Sequence, residues 1–147
     1  MDVRYLVSRA EEVEYLKASS QSFIWKFDAA VDDHTDDPIL AAFDNGRLIA
    51  GAEILPFTAN YCGNLMNIVV ATGICSVPER RRLGGVRAIF SKLQEIADEN
   101  DWVAGFLFPF SIEYYEKFGY ANLNRIFSIK SIFMHKIPLL NFLKISI

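Results

Sequence analysis

The segment that most constrains this chain is an apolar run, Leu65 to Val77, that stops at Pro78 and gives way to a pattern of a different period. The run is rich in β-branched residues and reads as a central strand, with Gly73 able to accommodate a bulge. Proline removes a backbone donor, so the strand is expected to end there. From Gly84 to Asn100 the apolar positions Val86, Ile89, Phe90, Leu93, Ile96 and Ala97 recur at three and four residues, which predicts an amphipathic helix. Trp102 to Phe108 reads as a strand again. The order strand, helix, strand favours a right-handed crossover, and with it a mixed sheet carrying helices.

The remaining segments supply partners for that unit. Val3 to Val7 reads as a strand, and Ser8-Arg9-Ala10-Glu11-Glu12 as the capped start of a helix that runs to about Phe27. An acidic loop, Asp28 to Pro38, follows. Ile39 to Phe43 and Arg47 to Pro56 read as strands joined at Asp44-Asn45-Gly46, because Asn-Gly tolerates the positive φ of a tight hairpin. Ser111 to Phe118 reads as a short helix ended by Gly119, with extended chain from Tyr120 to about His135. No repeat, low-complexity tract or Gly/Ser linker divides residues 1–147, and a chain of 147 residues is the size of one domain with one core. Residues 127–147 form an atypical, strongly apolar tail. If exposed, it predicts a homo-oligomer.

Charge narrows the function classes. A net charge of −3 argues against a nucleic-acid partner, which requires a basic face for phosphates. Charge or proline breaks the apolar stretches within about ten residues, short of the ~20 that a spanning helix needs, so no membrane partner is expected. The N-terminus lacks the layout of a signal peptide, and the expectation is a cytoplasmic protein. Cys62, Cys75, His34 and His135 are too scattered for a metal site. An acidic run, Asp28, Asp32, Asp33, Asp36 and Asp37, stands against a basic one, Arg80, Arg81, Arg82 and Arg87.

The join Val77-Pro78-Glu79-Arg80-Arg81-Arg82-Leu83-Gly84-Gly85 carries the chemistry. At a helix N-terminus several backbone N–H groups lack intrahelical acceptors and lie at the positive end of the macrodipole, so the place favours anions. Gly84 and Gly85 remove side chains that would keep a pyrophosphate from the backbone, and Arg81 or Arg82 can add a charge-assisted contact. A solvated turn with no ligand explains the same residues. The segment is neither a P-loop nor a dinucleotide fingerprint.

Arg81-Arg82-Leu83-Gly84, placed after a strand and Pro78, resembles motif A of the GNAT superfamily, with Val86 where Gly or Ala is usual. Ala41 to Leu48, Gly73 to Glu79 and Pro109 to Tyr120 resemble the Eis-like branch of that superfamily, and the resemblance covers roughly residues 1 to 125. It implies an α/β (α+β) GNAT fold, a mixed, mostly antiparallel sheet flanked by helices and splayed at the strand before motif A. It also implies acetyl-CoA as co-substrate and no metal. Backbone groups of Ile74, Cys75 and Ser76 or Val77 would meet the acetyl and pantetheine arm, and Arg82, Gly84 and Gly85 the pyrophosphate. Tyr115 falls on the tyrosine that protonates the departing thiolate.

The implied reaction is direct N-acetyl transfer to a primary amine: a polyamine, an aminoglycoside-like compound or a lysine side chain. No covalent enzyme intermediate is needed, so Cys75 reads as a packing residue rather than a nucleophile. Asp28, Asp32 and Asp33, with Asp36 and Asp37, form an entrance that attracts a protonated amine, or else a solvated loop. Specificity is expected in the loops Asp28 to Pro38 and Pro56 to Asn64. Members of the Eis-like branch carry two further domains and use their terminal carboxylate as base. The expectation is therefore a first domain alone, with the base unassigned and Glu53 and Glu113 as unranked substitutes. The alternative is a truncated or degenerate domain that binds acyl-CoA or a protein without turnover.

Overall fold

The computed structural model describes residues 1–28, 30–32 and 34–122. The chain divides into two compact units, Met1–Phe108 and Pro109–Ile147, described in turn. The apolar tail 127–147, His135 and Asp33 lie outside the described residues.

The first unit holds a five-stranded sheet in the order β1 (Asp2–Tyr5), β2 (Ile39–Asp44), β3 (Arg47–Tyr61), β4 (Asn64–Ser76) and β5 (Ala104–Leu107). Neighbours pair antiparallel except β4 and β5, which are parallel because the helix α2 (Gly85–Glu99) connects them. Helix α1 (Arg9–Phe23) packs on β3 and β4, and α2 on β2, β3 and β4. Ile39 to Phe43 are all buried, as expected of a strand covered on both faces. The core beside α1 gathers Tyr15, Leu16, Ile39, Ala41, Phe43, Leu48 and Cys75.

Local chemistry sets the elements. Ser8 caps α1 by accepting from the Glu11 N–H at 3.4 Å. Glu11 reaches back to the Val7 N–H at 3.0 Å and pairs with Arg4 at 2.6 Å, a contact that lowers its carboxyl pKa. The helix stops short of the expected Phe27. Ile24 turns into the left-handed region at φ 56, and its N–H closes on Ser20. In the turn between β2 and β3, Asn45 and Gly46 take φ 49 and 73, the positive pair that a tight hairpin demands.

The expected loop from Pro56 to Asn64 is instead strand and turn. β3 runs on to Tyr61 and turns at Cys62 and Gly63, φ 50 and 87, into β4. Pro56 is tolerated inside β3 because the register with β2 ends at Glu53, so no ladder bond on that side is lost.

The second unit contributes a short helix, α3 (Ile112–Glu116), capped by Ser111, which accepts from the Tyr114 N–H at 3.2 Å. Gly119 at φ 86 follows it.

Candidate functional site

β4 is paired on both sides only along part of its length. Its partners in β5 are Ala104 to Leu107, opposite Ile68 to Ala71. Beyond Ala71 the strand continues to Ser76 paired, among the described residues, with β3 alone, so that no described strand covers its other edge from Thr72 onward. In the same stretch the register slips: Gly51 faces Cys75 and Glu53 faces Thr72, so Gly73 and Ile74 together oppose Ala52. Gly73, at φ 58, supplies the backbone freedom for this bulge, as its place in the sequence predicts. Ile74, Cys75, Ser76 and Val77 therefore lie on the splayed end of β4 and in the exit from it. Cys75 is buried at 3% exposure, and burial pushes its thiol up to about 12, so it is a packing residue without thiolate character.

The chain leaves β4 through a single 3-10 turn, Pro78–Arg80. Arg80 holds this turn down: its guanidinium donates to the Leu48 carbonyl at 2.6 Å and lies 3.7 Å from Glu14 of α1. The three arginines thus divide, since Arg81 and Arg82 are exposed. Arg82 is held at φ 67, an uncommon conformation for a residue with a side chain. Gly84 is the N-cap of α2 at φ 85 and offers no side-chain hydrogen bond to the first turn. A Cβ there would meet open space, so the glycine answers to backbone conformation.

Gly85 answers to packing. A Cβ on it would lie 2.9 Å from Ala50 Cβ and 3.0 Å from Ile49. Gly85 thus seats the first turn of α2 against the sheet, and the exposed Arg81 and Arg82 precede that turn, a residue set that suits a pyrophosphate.

A second group sits over the bulge. Tyr15 is fully buried, and its hydroxyl lies 3.1 Å from Glu53 Oε1 and 2.9 Å from the Gly73 carbonyl, both acceptors for it. Glu53 is half-buried, and its carboxyl pKa is raised by burial and by the negative charge of Asp37, while the Tyr15 hydrogen bond opposes the rise. The Pro38 carbonyl accepts from the Ile54 N–H at 2.9 Å, which brings the end of the acidic loop beside Glu53. Sequence reasoning singled out neither Tyr15 nor this use of Asp37. The available signal was one carboxylate, Glu53, inside the apolar stretch Leu48 to Leu55.

Asp28 and Asp32 serve their own loop. Asp32 Oδ2 accepts from the Asp28 N–H at 2.8 Å, and Asp28 Oδ1 from the Ala30 N–H at 3.0 Å. His34 ties the loop to α1 through Glu12 at 2.7 Å. Among the described residues no group of three or more His, Cys, Asp or Glu is arranged to hold a metal ion, and no helix is long and apolar enough to cross a membrane.

In the second unit Tyr115 is buried, with Phe110, Tyr114, Phe118 and Tyr120 around it at ring separations of 5.1 to 6.5 Å. Burial raises its phenol to about 12, with Tyr114 and Tyr120 adding to the shift. Glu113 is exposed, and its carboxyl pKa is lowered by its own backbone N–H and by the Ser111 hydroxyl, a helix-start arrangement.

Among solved structures, a conserved protein from Enterococcus faecalis, a probable N-acyltransferase, is similar at 20% identity and TM-score 0.69, covering 81% of this chain and 31% of that one. Eis1 from Mycobacterium abscessus is similar at 26% identity and TM-score 0.66, covering 86% and 33%. An aminoglycoside acetyltransferase from an uncultured soil metagenomic sample matches at 18% identity and TM-score 0.62, covering 94% and 97%. The chain thus spans about a third of the length of the first two. No curated protein sequence matches it. The profile of the acetyltransferase (GNAT) domain matches residues 4–123, which takes in the splayed strand, the glycine-seated helix and the aromatic α3 segment, and the chain belongs to that family.

Proposed function

We propose that this chain transfers the acetyl group of acetyl-CoA directly to a primary amine, as a member of the Eis-like branch. The observation that carries the reading is the departure of β5 from β4 after Ala71, immediately before the bulge and the turn into α2. An open strand edge presents backbone N–H and C=O groups to a ligand. Such groups on Ile74, Cys75 and Ser76 suit the amide-bearing pantetheine arm, and strand N–H groups suit the oxyanion of a thioester under attack. Arg81, Arg82, Gly84 and Gly85 suit the pyrophosphate. Likeness to Eis1 at 26% identity supports the branch.

Tyr115 is assigned the proton for the departing thiolate on the family resemblance, and a phenol held near 12 keeps that proton at neutral pH. The buried Cys75 thiol supports direct transfer over a thioester enzyme intermediate. The acceptor class is a polyamine, an aminoglycoside-like compound or a lysine side chain. A thiol-release assay with acetyl-CoA over a panel of these amines tests the reading. Release that depends on the amine and falls sharply in Tyr115→Phe is expected. Binding of acetyl-CoA without thiol release for any amine would leave a binding module in place of an enzyme.

A further inference from the structure

We propose that Glu53 is the base that takes the proton from the incoming ammonium group, and that Tyr15 is the positioning residue that holds it over the bulge of β4. The inference rests on the acetyl-transfer reading and supplies the step which that reading leaves open.

Geometry argues first. Glu53 projects from β3 on the face that carries Tyr15, and its carboxylate covers Gly73: a Cβ at Gly73 would overlap the Tyr15 hydroxyl and lie 3.0 Å from Glu53 Cδ. Gly73 is the residue immediately before Ile74, where the open edge of β4 begins to serve the thioester in this reading. A carboxylate at this place adjoins the bulge without lying in it. Its partner is fixed, because the Tyr15 hydroxyl is within hydrogen-bond reach of both Glu53 and the Gly73 carbonyl, and the strand and the base are registered through one side chain.

The surroundings suit proton transfer. Among the described residues the titratable groups facing Glu53 are Tyr15 from α1, Asp37 from the acidic loop and Cys75 from β4, and none of these is a cation. Burial and Asp37 both raise the carboxyl toward neutral pH, where a base is most effective. Asp37 is exposed and negative, so the approach to Glu53 attracts a cationic acceptor. Glu113, the other substitute, is exposed, and its proton affinity is lowered by its role at the start of α3.

The step balances simply. Glu53 carboxylate takes one proton from R–NH3+, and the neutral amine forms the C–N bond at the thioester carbon. Collapse breaks the C–S bond. The sulfur takes one proton, the nitrogen loses a second, and the proton on Glu53 passes to solvent, leaving amide, CoA thiol and one net proton.

The test compares pH profiles of kcat/KM for wild type, Glu53→Gln and Tyr15→Phe, with acetyl-CoA affinity measured alongside. Glu53→Gln is expected to lose about 100-fold at neutral pH, the scale of general-base catalysis, with unchanged affinity for acetyl-CoA. Its deficit should shrink about tenfold per pH unit toward the pKa of the amine, as free amine replaces the missing base. Tyr15→Phe should move the acidic limb to higher pH, because the hydrogen bond that stabilises the Glu53 carboxylate is gone.

A deficit of the same size at every pH, or loss of acetyl-CoA binding in Glu53→Gln, would mark Glu53 as structural and overturn the proposal. Wild-type rate and profile in Glu53→Gln would overturn it while leaving acetyl transfer intact. A wild type that releases no thiol overturns the acetyl-transfer reading itself, and this proposal with it.

Discussion

The edge of the Tyr15 ring presses on Gly51: a Cβ on that glycine would stand 2.5 Å from Tyr15 Cδ2 and 2.9 Å from Cε2. Gly51 on β3 and Gly73 on β4 are both clear of side-chain atoms where the tyrosine needs room, so a phenol can reach through to the bulge. Gly51→Ala should gain about 0.5–1 kcal/mol from lower backbone entropy in the unfolded chain, yet lose about 1–3 kcal/mol to overpacking. The second effect wins because the ring is fully buried and its hydroxyl is committed to Glu53 and Gly73. Chemical denaturation is expected to show net destabilisation. Equal or higher stability would mean that the ring has room to move.

Three consecutive arginines separate into two roles. Arg80→Ala removes the 2.6 Å hydrogen bond to the Leu48 carbonyl and the Glu14 pair, and should cost about 1–2 kcal/mol of stability. Arg81→Ala, on an exposed side chain, should stay within about 0.5 kcal/mol. Thermal unfolding of the two variants checks this, and a larger loss from Arg81→Ala would reverse the assignment.

Glu53 predicts a pH dependence of stability. Its folded pKa is raised, so the folded state holds the proton more tightly than the unfolded chain. The unfavourable burial of its charge is then absent below the ordinary carboxylate range, at about pH 4, and grows as the pH rises from there through the raised folded value. Glu53→Gln removes that cost while keeping an acceptor for Tyr15. The variant should melt a few degrees above wild type near neutral pH and level with it near pH 4. Comparing the two proteins cancels the opposite slopes from Glu11 and Glu113, whose pKa values are lowered. A melting difference that does not change with pH would contradict the account.

The long strand, its bulge and the amphipathic helix were legible because each rests on a local signal: β-branched residues and Gly73, then apolar spacing at three and four. Pro56 misled, since a proline ends a strand only where its missing N–H is needed, and β2 has already stopped pairing at Glu53. The early end of α1 at Ile24 was not visible either, because a β-branched residue gives no warning of a left-handed cap. Arg80 looked like its neighbours until the register of β3 placed the Leu48 carbonyl beside it. Glu53 stood out as a charge in an apolar run, but its partner Tyr15 is 38 residues away, and only the packing of α1 across β3 and β4 joins them.

The join between β4 and α2 is the proposed seat of the acetyl-CoA pyrophosphate. Titration calorimetry of acetyl-CoA into wild type, Arg82→Ala and the Arg81→Ala/Arg82→Ala pair tests it most directly. A charge-assisted hydrogen bond from one arginine to the pyrophosphate is worth about 1.5–3 kcal/mol, so affinity should fall at least about tenfold with the first variant and further with the second, at unchanged melting temperature. No heat with wild type, or equal affinity in all three proteins, would contradict the claim.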